Sequence, residues 1–173
     1  MDASHVENIS SVDCRPLYDK WVLWAHLPHD TDWSFKSYKP IMELSNVEEA
    51  VMLYKILPEK MVKNCMLFLM RKGITPMWED EKNRLGGCFS YKIINKNVYN
   101  VWKFASFCLV GEMLTKNKDM GKYINGITIS PKKSFCIIKV WIENCKYQDT
   151  NKINTKSGLM PHGCLFKKHK PEF

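Results

Sequence analysis

Apolar positions along the chain change period several times, and each change marks an element. From Leu17 onward, Trp21, Leu23, Ala25 and Leu27 alternate with Val22, Trp24 and His26, which predicts a strand with apolar groups on both faces. Pro28 to Asp32 reads as a turn-rich loop with Trp33 at its far end. A second strand is expected from Phe35 to Leu44, with Pro40 pointing to an edge or a bulge. Asn46 with Glu49 three residues on forms a helix-capping pair, and Val47, Ala50, Val51, Tyr54 and Leu57 recur at helical spacing until Pro58 ends the helix. Met66 to Met70 is a short apolar strand, residues 71–87 a long polar loop, and Phe89, Tyr91 and Ile93 alternate as another strand. A second helix is expected from Val98 to Leu114, with Val101, Trp102, Ala105, Cys108, Leu109 and Glu112 on one stripe. Two strands, Tyr123 to Ser130 and Ser134 to Ile142, flank the turn Pro131-Lys132-Lys133. Strands interrupted by helices and joined by hairpin-length turns imply an α+β fold, an antiparallel sheet with helices on one face.

Composition narrows the class. The 173 residues carry 26 Lys and Arg against 18 Asp and Glu, a net charge of +8, and 45% are hydrophobic, enough for one globular domain. Residues 1–14 are polar and irregular and read as a flexible arm, leaving residues 15–173 as a single domain whose tail, beyond Cys145, is basic and partly irregular. No apolar run approaches a membrane span, and the acidic first residues resemble neither a signal nor a transit peptide. Seven cysteines without a C-x-x-C pair argue against a disulfide framework and against zinc, and they favour a reducing compartment such as the cytoplasm. Six tryptophans on a basic chain suggest nucleotide or single-stranded RNA binding, because indole faces stack on bases while ammonium groups hold phosphates.

The loop 73–87, GITPMWEDEKNRLGG, places a Trp beside three carboxylates. Glu79, Asp80 and Glu81 could be read as Mg²⁺ ligands of a nucleotide hydrolase, but three adjacent acids point in different directions and no partner carboxylate motif occurs elsewhere. With its PMWEDE core, this loop resembles the most characteristic segment of the messenger-RNA cap-binding family typified by eukaryotic translation initiation factor 4E. RPLYDKWVLW (15–24) is similar to that family's opening strand, NVEEAVMLY (46–54) to its first helix and VWKFASFCLVGE (101–112) to its second, all in family order.

The resemblance implies a curved antiparallel sheet, helices on its convex face and a cap-binding cleft on its concave face. It implies a binding protein of translation initiation rather than an enzyme, cytoplasmic, with no cofactor and no metal. Trp78 and Trp33 match the two indoles that sandwich the cationic 7-methylguanine, Glu79 the acid that reads the guanine edge, and Trp141 the residue at the N7 methyl. Cys88 and Ile137 stand where the family has phosphate-binding Arg and Lys. Lys132 holds another such position, and Lys133 and Lys139 are the expected substitutes; strand alternation puts Lys139 about 6.6 Å from Trp141 on one face.

For the family's scaffold-binding surface, Pro16, Val47, Val51, Phe107, Val110 and Leu114 are the expected apolar patch, with Phe107, Val110 and Leu114 opposite the core stripe of the second helix. Val51 replaces an anchoring Trp there, and Lys103 and Phe104 replace a Leu and a Glu, so a scaffold protein would dock with altered geometry. The family's third helix and following strand have no counterpart between Trp141 and the TKSG motif (155–158). This divergence fits a viral or parasitic paralogue. It also leaves a second reading, a cap binder or decoy that sequesters capped RNA or a translation partner without normal scaffold recruitment.

Overall fold

The computed structural model describes residues 13–173, so the expected N-terminal arm, apart from Asp13 and Cys14, lies outside the described residues. Seven strands form one antiparallel sheet: β1 (Pro16–His26), β2 (Tyr38–Asn46), β3 (Met66–Arg71), β4 (Gly87–Ile94), β5 (Ile124–Pro131), β6 (Phe135–Ile142) and β7 (Leu165–Lys168). Their spatial order is β2-β1-β3-β5-β6-β4-β7. Helices α1 (Val47–Ile56), α2 (Glu59–Asn64) and α3 (Val98–Val110) pack on one face, and the four-residue turn α4 (Lys118–Gly121) leads into β5.

Strand alternation divides the side chains between two faces. Leu23, Leu67, Leu69, Phe89, Ile127, Ile138 and Val140 point toward the helices and meet Leu53, Trp102, Ala105 and Leu109 in the main core. Their neighbours in sequence, Phe68, Met70, Cys88 and Trp141, form a second, smaller cluster on the opposite face with Trp24, Tyr38 and Trp78. The apolar character of both faces in β1 and β3 is therefore real, and each face has its own partner.

Helix α1 starts as expected, since the Asn46 side chain accepts from the Glu49 N–H at 2.8 Å and the Glu49 carboxylate accepts from the Asn46 N–H at 3.3 Å. Pro40 sits on an edge strand at a register shift that leaves Ile41 unpaired between Met42 and Pro40.

Five local expectations are corrected. Residues Phe35–Ser37 form a 3-10 turn, and the second strand begins at Tyr38. Pro58 ends α1 but also begins α2, where its fixed φ suits a helix start. The second helix stops at Val110, because Gly111 caps it and Glu112 adopts a left-handed φ of 55°. That turn aims the Glu112 carboxylate at Arg71, which donates two hydrogen bonds to it at 2.6 and 2.8 Å while lying over the Trp21 ring. Leu114 is consequently off the helix and buried, and Val110 is buried too, so neither belongs to an outer apolar face. In the tail, Leu165–Lys168 is a strand, β7, paired with β4 through Cys88↔Lys167 and held by Phe166 against Phe89 at 5.0 Å.

Candidate functional site

The helix-free face carries a cleft of about 260 Å³ lined by Trp33, Tyr38, Phe68, Trp78, Glu79 and Trp141, with Thr128, Ser130 and Lys139 along its floor and Glu172 and Phe173 at its mouth. Residues from β2, β3, β5, β6 and two loops converge there, so the alternation that fills the helix-side core also fixes what faces the cleft.

The loop after β3 is closed on itself. Gly73 opens it at φ 89°, a conformation other residues adopt at a cost, and Gly86 closes it where a Cβ would collide with the Ile142 carbonyl. Asp80 accepts from the Thr75 N–H and hydroxyl, both at 2.7 Å, and from the Lys82 N–H at 2.9 Å. Asn83, fully buried, donates to the Thr75 and Met77 carbonyls and accepts from Asn125 at 3.0 Å. Asp80 and Asn83 are thus consumed by the loop itself. The half-buried Trp78 and Glu79 are what this knot presents to the cleft.

Each loop indole is backed by a histidine. Trp33, 53% exposed, lies flat on His26 with ring centres 4.0 Å apart and planes 7° from parallel. His26 is held in turn by its Nε2–H donating to the Asp32 carbonyl at 2.8 Å. Two hydrogen bonds from Ser34, N–H and hydroxyl, keep the Asp32 carboxyl below its ordinary pKa and tie the loop down. Trp78 stacks on His169 at 5.6 Å and 15°. His169 follows β7, donates from Nδ1 to the Asn83 carbonyl at 2.7 Å, and meets the Trp141 ring at 4.8 Å. Burial pushes the His169 pKa down, and its Nε2 is buried without a partner.

Trp141 is buried and donates from its indole to the Thr128 hydroxyl at 3.1 Å, so its edge forms the back wall. Burial, reinforced by the nearby Glu79 carboxylate, raises the Tyr38 phenol to about 12, and Tyr38 faces the cleft as a neutral donor. The Glu79 carboxylate accepts one hydrogen bond, at 3.1 Å, from the backbone N–H of Glu172, while Arg84 holds the Phe173 carbonyl at 3.2 Å. Glu172 and Phe173 therefore lie at the edge of the cleft.

Of the expected site residues, the structure brings Trp33, Trp78, Glu79, Trp141 and Lys139 together around one cavity. Lys132 and Lys133 are exposed near the β5–β6 turn and do not line it. Cys88 is buried beside Trp141 in register, its thiol pushed up by burial and opposed by the Lys139 and Lys167 ammonium groups. Lys167, paired in register with Cys88, is the second ammonium group that this thiol faces.

Of the expected docking residues, Pro16 and Val51 are exposed and Val47 and Phe107 partly so, with Phe107 packed edge-on against Tyr54 at 5.2 Å. The exposed apolar groups of α1 and α3 are instead Val51, Met52, Ile56 and Phe104.

Sequence reasoning missed His26, Tyr38, Phe68, His169 and Lys167. Alternation along β1 and β3 carries the signal for His26 and Phe68. Nothing in a short basic tail signals His169.

The chain is 31% identical over 147 residues to eukaryotic translation initiation factor 4E-2 of Schizosaccharomyces pombe, covering 80% of this chain and 58% of that protein. It is 32% identical over 128 residues to the 4E homolog of Acanthamoeba polyphaga mimivirus, covering 66% and 47%. It thus spans about half of these curated relatives, and 69% of the factor 4E of Eremothecium gossypii, to which it is 28% identical over 82% of its own length. In fold it matches Ascaris suum eIF4E-3 solved with an m7G cap, at a TM-score of 0.77 and 22% identity, covering 91% and 92% of the two chains. Caenorhabditis elegans eIF4E-3, solved with the 4E-binding protein Mextli and a cap analog, gives a TM-score of 0.78 at 21% identity, with 92% and 98% covered. The model of the family "Eukaryotic initiation factor 4E" matches residues 16–169, and the chain, with its sheet, its PMWEDE loop and its aromatic cleft, belongs to that family.

Proposed function

We propose that this protein binds the 7-methylguanosine cap of messenger RNA and acts in translation initiation, in the cytoplasm, as a binding protein and not as a catalyst. The observation that carries this reading is the convergence of Trp33, Trp78, Glu79 and Trp141 on one cleft. A 7-methylguanine is a flat cation. Two indoles on its faces attract it through their π systems, and the Glu79 carboxylate accepts from the two donors of its Watson–Crick edge. The present bond from a backbone N–H to Glu79 supports the role, since it shows that carboxylate accepting from an N–H donor at the cleft.

On the phosphate side, Lys139 lines the cleft and Lys132 and Lys133 stand near the hairpin turn that a trailing phosphate chain would pass. Lysines act as point charges, so the triphosphate contact depends on salt more than a bidentate Arg contact would. The exposed apolar groups of α1, with Pro16, Val47 and Phe107, are the surface for a scaffold or regulatory protein; the C. elegans relative was solved with one such partner.

The test is calorimetric titration with 7-methyl-GTP and GTP. Binding of the methylated nucleotide at least about tenfold tighter supports the reading, since cation–π attraction of up to about 2 kcal/mol distinguishes the two bases. Equal affinity for the two nucleotides, or none for either, overturns it.

A further inference from the structure

The two clamp indoles share a feature that neither the loop motif nor the family reading requires: each has an imidazole stacked near-parallel against it, His26 face to face at 4.0 Å and His169 offset at 5.6 Å. The two histidines come from opposite ends of the described chain, His26 from the end of β1 and His169 from beyond β7. Each donates one ring N–H to a carbonyl of its own indole's loop, Asp32 for His26 and Asn83 for His169. That donation needs no charge on the ring, and the unpartnered, buried Nε2 of His169 makes a charge there costly.

We propose that His26 and His169 are positioning residues of the clamp, holding Trp33 and Trp78 from behind, and that a charge on either imidazole weakens the cleft's attraction for a cationic base. The inference rests on the functional reading above. The indole's negative π faces are what a cationic ligand feels. A neutral imidazole behind the ring leaves that density to the ligand. A protonated one binds the same π system from the other side and repels the ligand's like charge through it.

The groups that face these rings do not replace them. His169 meets Glu79 from the loop and Lys139 from β6, which act in opposite directions, and burial keeps its ring neutral below the usual imidazole range. His26 meets Asp32 from its loop and the neutral Tyr38 phenol from β2, whose ring lies edge-on at 5.4 Å.

The experiment compares wild type with His26→Phe/His169→Phe, which keeps a flat ring behind each indole but cannot be charged. Calorimetry with 7-methylguanosine, which has no phosphate, is run from pH 7.5 to pH 5. Titration of the ligand is common to both proteins, so the ratio of their affinities follows the imidazoles together with the Glu79 carboxylate that His169 faces. That ratio is expected to fall against wild type by about threefold or more for each imidazole charged, the low end of a cation–π contact. A ratio constant with pH overturns the charge role. His169→Ala is expected to weaken binding at pH 7.5 by about tenfold, with His169→Phe restoring most of it, as loss and return of ring support require. Equal affinities for the Ala and Phe variants overturn the positioning role.

Failure of wild type to bind 7-methylguanosine at pH 7.5 would strike the functional reading instead. NMR titration of the free protein then decides the histidine inference: Trp78→Ala should move the His169 midpoint, and an unmoved midpoint overturns it.

Discussion

The two faces of the sheet are built from alternate residues of the same strands, yet they solve different problems. On the helix side, Leu23, Leu69, Ile127 and Val140 meet Leu53, Trp102 and Leu109, all almost fully buried apolar groups. On the open face, Phe68 and Trp141 are buried as well, while Trp78 and Tyr38 are only half-buried, beside Glu79 and Lys139. The closed face stabilises the fold by removing apolar surface from water. The open face leaves one ring face uncovered and carries its polar groups on a knotted loop, so its residues serve binding at little cost to stability.

Substitutions on the two faces should therefore separate stability from affinity. Trp102→Ala leaves a large hole beneath α3 and is expected to cost about 3–5 kcal/mol of unfolding free energy, with cap-analogue affinity per folded molecule unchanged. Chemical denaturation with parallel binding measures it, and a large affinity loss in the folded fraction would couple the faces. Trp78→Ala should do the reverse, weakening 7-methyl-GTP by about 10- to 100-fold through lost stacking. A melting temperature lowered as much as in Trp102→Ala would show that the open face is also core.

The comparison sharpens within the loop. Glu79→Ala is expected to lower affinity by about tenfold or more with little change in melting, because a charged hydrogen bond to the base edge is lost. Asp80→Ala frees Thr75 and Lys82 and should lower the melting temperature with a smaller effect on affinity. Equal affinity losses would mean that the loop acts through net charge. Smaller still is the phosphate term. Lys139→Ala should reduce the advantage of 7-methyl-GTP over 7-methylguanosine by about threefold at low salt and by less at high salt. An advantage that is unaffected by both places the phosphates elsewhere.

The smallest effect is on stability against pH. The folded His169 pKa lies below its unfolded value, so its contribution is fully present above about pH 6.5 and is lost as the pH falls through the folded value. Melting curves between pH 7.5 and 5 should decline in wild type more steeply than in His169→Phe. Parallel declines would show that burial of this ring costs nothing.

How much of this was legible beforehand follows from the range of each signal. The capping pair at Asn46, the alternation in β1, β4, β5 and β6, and the aromatic loop are local, and each was readable from neighbouring residues. Trp33, Trp78, Glu79 and Trp141, expected at one site from the family resemblance, and Lys139, expected from strand alternation, line one cleft. The failures at the docking face and behind Trp78 are non-local. The end of α3 depends on a left-handed Glu112 that only Arg71 rewards, 41 residues away, and that misplaced Val110 and Leu114. Strand β7 is four residues of mixed character that pair with β4 only once the sheet exists, and His169 inherits its place from that pairing.

The bond from Glu172 to Glu79 has a statistical consequence for every affinity measured on this cleft. A ligand whose donors replace the Glu172 N–H on the Glu79 carboxylate binds only those molecules in which that bond has opened, so its apparent dissociation constant is the intrinsic one divided by that open fraction. The factor is the same for every such ligand. It rescales methylated and unmethylated nucleotides in parallel and cancels from their ratio. Removing the donor, as Glu172→Pro does, should tighten all of them alike, so that selectivity belongs to the aromatic walls while sensitivity belongs to the strap.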